Sequence, residues 1–152
     1  GSVLTASVGI NVGAQQLHRA KMIAWTGAFI SFCVVGLIGA SVTIFPDIWL
    51  NNFESNTLIR DYATLYLIIV APFYCFFAAG QTLYFASQGL GKIFYPVIVG
   101  IIRLLSVSII CFYATVYDLS LNFVFYGVSF GLLATGLGLW MCMLGPDWKK
   151  KI

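Results

Sequence analysis

Long stretches of this sequence carry no charge, and their lengths organise the chain. Met22 to Phe45, Tyr62 to Gly91 and Leu119 to Pro146 are free of Asp, Glu, Lys and Arg, and Ile93 to Tyr117 is interrupted once, by Arg103. A helix needs about 20 apolar residues to cross a hydrocarbon core of roughly 30 Å, so each run is long enough. The apolar positions do not alternate with period two, and the runs exceed the roughly 10 residues of a barrel strand. The pattern predicts four full transmembrane helices, over 22–46, 62–90, 93–117 and 119–146. Residues 1–17 are also uncharged and rich in Gly, Val and Ala, but at about 1.5 Å per residue they fall short of a span. They are predicted to be the end of a fifth helix. The expected fold class is all-α integral membrane.

Helix breakers fall where this scheme needs them. Pro46 is expected to close the first full helix, Pro96 to lie in the first turn of the third, and Pro146 to end the fourth. Pro72 falls inside the second run, where it should kink the helix and free a backbone carbonyl. Irregular backbone at membrane depth is tolerated only against protein or a water-filled cavity. The second helix is therefore the first place to look for a pathway.

Positive charge sets the expected topology. Arg19 and Lys21 lie in the first connection, Lys92 in the third, and Lys149, Lys150 and Lys151 in the tail. The second connection holds Asp47, Glu54 and Asp61 against Arg60, and the fourth only Asp118. The positive-inside rule places the first and third connections and the basic tail, 147–152, in the cytoplasm. A multi-pass protein of the plasma (inner) membrane is expected. The start has neither an initiator Met nor the basic opening of a signal peptide, so a piece of a longer chain is expected.

Composition agrees with the pattern and removes whole classes of function. Of 152 residues, 61% are hydrophobic and only 9% charged, against about 25% charged in ordinary soluble domains. Mean hydropathy is +0.96. The partner of such a surface is the lipid bilayer, which excludes a soluble enzyme or a nucleic-acid module. Cys33, Cys75, Cys111 and Cys142 each sit alone in an apolar run, as packing residues do. No metal cluster is legible, and no pair of intramembrane acids supports catalysis.

Two features could carry transport. Tyr74, Ala78, Gln81, Phe85 and Gln88 recur at steps of four and three, so they share one helix face, flanked by Tyr84 and Ser87. The stripe either lines an aqueous cavity for a polar or cationic solute, or its glutamines are hydrogen-bonding glue between helices. Arg103 lies about seven residues past Pro96, roughly 10 Å along the axis. It either turns inward, in a structural or gating role, or snorkels to the headgroups. All five acids flank helices, so an ion-coupling carboxylate would belong to a part of the protein outside this chain. Gly9 with Gly13, Gly127 with Gly131, and Gly36, Gly39, Gly136 and Gly138 mark close helix packing. Trp25, Trp49, Trp140 and Trp148 fall towards helix ends, as an interfacial belt does. Asn11, Gln15 and Gln16 suit helix capping and headgroup contact.

Three stretches resemble the MATE (multidrug and toxic compound extrusion) transporters. Val8-Gly9-Ile10-Asn11-Val12-Gly13-Ala14, followed by Arg19-Ala20, is similar to a VGxNxGA pattern that closes a lobe's second helix. Tyr66-Leu67-Ile68-Ile69-Val70-Ala71-Pro72-Phe73 is similar to the start of the family's tenth helix. Tyr84-Phe85-Ala86-Ser87-Gln88-Gly89-Leu90-Gly91-Lys92, with Pro96 and Gly100-Ile101-Ile102-Arg103, resembles the turn between helices ten and eleven. The motif residues carried over are Asn11, Gly13, Ala14, Gln88, Gly89, Gly91 and Pro96.

The resemblance implies a partial C-terminal lobe, with residues 1–17 ending helix eight and the four spans forming helices nine to twelve of a twelve-helix, two-lobe antiporter. It implies alternating access against a missing N-terminal lobe, with small cationic drug-like substrates exchanged for H+ or Na+. No other cofactor is implied. Sodium-coupled relatives carry an acid in helix ten. The best match to that position here is near Phe77, which joins Tyr74, Gln81, Phe85 and Gln88 as a pathway candidate, with Pro72 and Arg103 as structural or gating residues. A lipid-linked saccharide flippase of the same superfamily and a non-transporting membrane accessory subunit remain as alternatives.

Overall fold

The computed structural model describes residues 1–50 and 57–145, and among them every regular element is a helix. In order these are α1 (Ser2–Gly13), α2 (Leu17–Ile44), α3 (Pro46–Leu50), α4 (Thr57–Val70), a 3-10 turn (Ala71–Phe73), α5 (Tyr74–Gly89), α6 (Phe94–Val116) and α7 (Leu121–Leu144). Four spans are long and apolar enough to cross a membrane: Leu17–Ile44, Ile59–Gly89, Phe94–Val116 and Leu121–Leu144. The second of these is α4, the 3-10 turn and α5 taken together. Glu54, Pro146, Trp148 and the basic tail lie outside the described residues.

Boundaries differ from the expected ones at three places, one being α4, which begins at Thr57 and so takes in Arg60 and Asp61 of the expected second connection. The α1–α2 connection is only Ala14–Gln16, so Arg19 and Lys21 belong to the start of α2 rather than to a loop. Arg19 reaches back to hydrogen-bond the Gln16 side chain at 3.0 Å. Pro46 does not close α2, which ends at Ile44; it opens α3, where the missing N–H costs nothing. An Arg60–Asp47 salt bridge of 2.7 Å then ties α3 to α4.

Turns between spans share one device. The chain enters the left-handed region at Gln15 (φ 58°), Gly91 (φ 74°) and Asp118 (φ 51°), after α1, α5 and α6. At the first two, paired bonds close the helix: Gln15 N–H to Val12 with Gln16 N–H to Asn11, and Gly91 N–H to Gln88 with Lys92 N–H to Ser87. This arrangement satisfies carbonyls that the helix end would leave open. Gly91 takes that backbone conformation without a Cβ penalty.

Packing is by small residues inside and large ones outside. The core gathers Val8, Ala20, Ala24, Ala28, Ala79, Leu83, Ala86 and Met143, while Leu37, Phe112 and Phe130 are 73%, 69% and 68% exposed. Lipid tails are as apolar as leucine, so helices gain by close backbone approach rather than by hiding large side chains. Helix α5 is central and packs against α1, α2 and α7, whereas α6 packs mainly on α7. A Cβ on Gly80 would lie 2.8 Å from Gly136 Cα, and one on Gly89 would lie 2.5 Å from the Thr5 carbonyl oxygen. Gly39 backs onto the Ala71 carbonyl, and Gly127, Gly131 and Gly138 onto Ile110, Val107 and Val99 of α6. Gly13 is the exception among the expected packing glycines, with open space around it.

Two of the tryptophans expected near helix ends touch each other. Trp25 and Trp140 meet edge to face at 6.0 Å, joining α2 to α7. Trp140 Nε1 is buried with no acceptor among the described residues.

These contacts predict opposite outcomes for two glycine substitutions. Gly80→Val forces α5 off α7 and should destabilise the protein by about 1–3 kcal/mol, as overpacking does. Gly13→Ala should be neutral or stabilising by up to about 1 kcal/mol. Thermal unfolding in detergent reads both; equal shifts would mean that the α5–α7 contact is not where stability resides.

Candidate functional site

The proline in the second span produces a real break. Pro72 has no N–H to give, and the backbone passes from α4 through one 3-10 turn into α5. Carbonyls freed by such a break must find partners, because lipid offers none. The surrounding helices supply them. Ser129 Oγ of α7 lies 3.0 Å from the Ile69 carbonyl oxygen and from its own helix's Phe125 carbonyl. The Cys75 thiol donates to the Pro72 carbonyl at 3.1 Å. Val70 and Ala71 are buried, and Tyr66 and Tyr74 clasp hydroxyls across the turn at 2.8 Å.

Beyond the break, one face of α5 borders a cavity of about 690 Å³ shared with α1 and α2. Tyr74, Phe77, Ala78, Gln81 and Phe85 all line it. Facing them are Leu4 and Ser7 of α1 and Ile23, Ile30 and Ser31 of α2. No charged side chain lines this space. Thr82 and Ser31 hydroxyls meet at 2.8 Å and hold its α2 edge. Gly1 stands at another edge, and any residue preceding it on the axis of α1 would extend along this hollow.

Gln88 is not among the lining residues. Beside it α1 crosses α5, where Thr5 Oγ1 donates to the Phe85 carbonyl at 3.0 Å and the Thr5 carbonyl backs onto Gly89; Gln88 itself is half-buried. Two of the resembling motifs thus meet in space, Val8-Gly9 of α1 against Gly89 of α5. Neither Gln81 nor Gln88 makes a side-chain hydrogen bond among the described residues. Helix-joining hydrogen bonds are made instead by Thr5, Thr82 and Ser129, and by Ser87, whose hydroxyl donates to Met143 Sδ of α7 at 3.8 Å. Asn11 turns back on its own helix, bonding the Ser7 carbonyl at 2.8 Å.

On the adjoining face of α5 a second hollow, about 330 Å³, is bordered also by α6 and α7. Phe77 and Gln81 line both spaces and form the wall between them. Arg103 crosses this second hollow and sets its guanidinium over the Phe77 ring, 4.5 Å from the centroid. Phe77 stands about 12 residues before the end of α5 and Arg103 about 9 after the start of α6, roughly 18 and 14 Å at 1.5 Å per residue. The side chain therefore reaches inward over α5, away from the nearer helix ends. A desolvated cation–π contact contributes up to about 2 kcal/mol, against about 2.5–3.5 kcal/mol to place an arginine at a helix centre. The ring offsets part of that cost. Sequence spacing gave no hint of this partner, because a search for acids passes over an aromatic ring.

A family model described as MatE matches residues 1–114, three quarters of the chain. The chain belongs to the MatE family. MatE proteins are membrane transporters, so at the level of the family the chain is part of a transporter and not an enzyme. The match runs from α1 through most of α6 and contains all three resembling stretches; α7 lies beyond it. Comparison with the curated proteins and with the solved structures yields no match. No group of three or more His, Cys, Asp or Glu suited to a metal ion occurs among the described residues of this MatE chain.

Phe77 and Arg103 should be energetically coupled. In a double-mutant cycle of Phe77→Leu and Arg103→Met, a coupling of about 0.5–2 kcal/mol is expected in thermal unfolding. Phe77→Trp should retain the coupling. Additive losses would show that the contact carries no energy.

Proposed function

We propose that the chain is part of the C-terminal lobe of a twelve-helix secondary antiporter. That antiporter exports cationic amphipathic compounds in exchange for protons or sodium by alternating access. The MatE membership supports transport. One observation carries the substrate class: the Tyr74–Phe85 face of α5 presents aromatic rings and the unpartnered Gln81 amide to a cavity with no charged side chain. Ring faces attract an organic cation electrostatically, the amide oxygen accepts a hydrogen bond from it, and the apolar walls cover the rest of an amphipathic molecule. In the parent protein the helix preceding Gly1 supplies the chamber's remaining wall, and the missing N-terminal lobe closes it.

The coupling ion belongs to that other lobe. Where the resemblance calls for an acid, Phe77 is apolar, and its ring is covered by the Arg103 guanidinium. No carboxylate stands at that position to hold a coupling cation. Six Lys/Arg of the connections and tail on one side against one on the other support a cytoplasmic C-terminus, in a multi-pass protein of the plasma (inner) membrane.

Efflux of a cationic dye from a drug-hypersensitive host tests this reading. In the full-length protein, Gln81→Leu should cut efflux about two- to ten-fold, the worth of one hydrogen bond. Phe112→Leu, on the exposed face of α6, should leave it unchanged. The 152 residues expressed alone should give no efflux above vector, since alternating access needs two lobes. Wild-type efflux in Gln81→Leu would remove the glutamine from the pathway, and efflux by the isolated chain would overturn the two-lobe reading.

A further inference from the structure

We propose that the cleft between α5, α6 and α7 binds the anionic head, carboxylate or phosphate, of an amphiphile with an apolar tail, and that Arg103 is its counter-charge. A guanidinium carries five N–H donors. Among the described residues Arg103 makes no hydrogen bond and no ion pair, and its described partner is the Phe77 ring. A ring face attracts the charge as a whole and leaves the in-plane donors unsatisfied. At mid-span in a membrane those donors call for an acceptor, and a carboxylate or phosphate accepts from two of them in parallel.

The surroundings fit such a ligand. Arg103 lines three adjoining hollows of about 330, 210 and 330 Å³. In the first, Tyr84 adds a side-chain donor to the wall, and Val97, Ile101 and Leu104 supply apolar surface. Ile101 and Leu104 are each more than half exposed, so the cleft opens on the outer face of α6, where an apolar tail lies in the bilayer. No described acid competes for the guanidinium, since Asp47, Asp61 and Asp118 stand at or beside helix ends. This site adjoins the cavity of the proposed efflux chamber, with Phe77 and Gln81 as the wall between them. It takes the opposite charge, and its test involves no transport.

Binding is measured on the delipidated full-length protein in neutral detergent, with radiolabelled oleate, dioleoyl phosphatidylglycerol and the uncharged monoolein as probes. At least one anionic probe should bind ten-fold or more tightly than monoolein. Arg103→Gln should remove that preference, and Arg103→Lys should keep most of it. Oleate alone would identify a single-chain acid as the ligand, phosphatidylglycerol alone a membrane lipid, and both the head group irrespective of its source. Equal binding of charged and uncharged probes by the wild type would overturn the proposal, even if Arg103→Gln fails to fold. An undiminished preference in a folded Arg103→Gln protein would also overturn it.

Discussion

In a bilayer every backbone N–H and C=O must be matched by protein, and the break at Pro72 makes that constraint local. One 3-10 turn in mid-span leaves carbonyls that helical bonding no longer covers. Ser129 comes from α7, Cys75 bonds from within α5, and Gly39 of α2 lets a neighbouring backbone approach Ala71. The turn is thereby gripped from both sides. Because it is gripped, the α5 segment after it holds a fixed position relative to α2 and α7. The cavity and the adjoining cleft follow from that position.

The same economy explains the distribution of side-chain size. Alanine and glycine line α5 where it meets its neighbours, so backbone packs on backbone at Gly80–Gly136 and Gly89–Thr5. Bulky residues face out. Where the neighbours of α5 contribute longer side chains instead, the helices stand apart, and the two hollows border that part of the helix. Phe77 and Gln81 sit at the one stretch of α5 exposed to both.

Much of the architecture was legible because charge is costly in hydrocarbon: long apolar runs, broken only once, by Arg103, announced all four spans. Their ends were less legible. Arg19 and Lys21 read as a loop, yet long cationic side chains are tolerated in the end of a membrane helix, so α2 starts at Leu17. Pro46 read as a terminator, although a proline starts a helix as readily as it stops one. Helical periodicity gathered Tyr74, Ala78, Gln81 and Phe85 on one face. It could not foresee that the last member, Gln88, would lie outside the cavity, since that depends on where neighbouring helices cross the stripe. The Arg103–Phe77 pair was hidden for the same reason, being a contact between spans with no local signature. The family likeness came from short motifs, and two of them turn out to be the halves of one helix crossing.

Order of synthesis gives the guanidinium–ring contact a further consequence. Ribosomes make α5 before α6 and α6 before α7, so when the helix bearing Arg103 leaves the translocon, the Phe77 ring already exists and the walls contributed by α7 do not. The strongly apolar character of α6, with a mean hydropathy of 2.3 over its best window, carries it into lipid despite the arginine. The tight Gly91–Lys92 turn delivers the guanidinium to the ring within the same hairpin. The guanidinium–ring contact is thus a tie that α5 and α6 can make early, while the main packing surface of α6 forms only once α7 arrives.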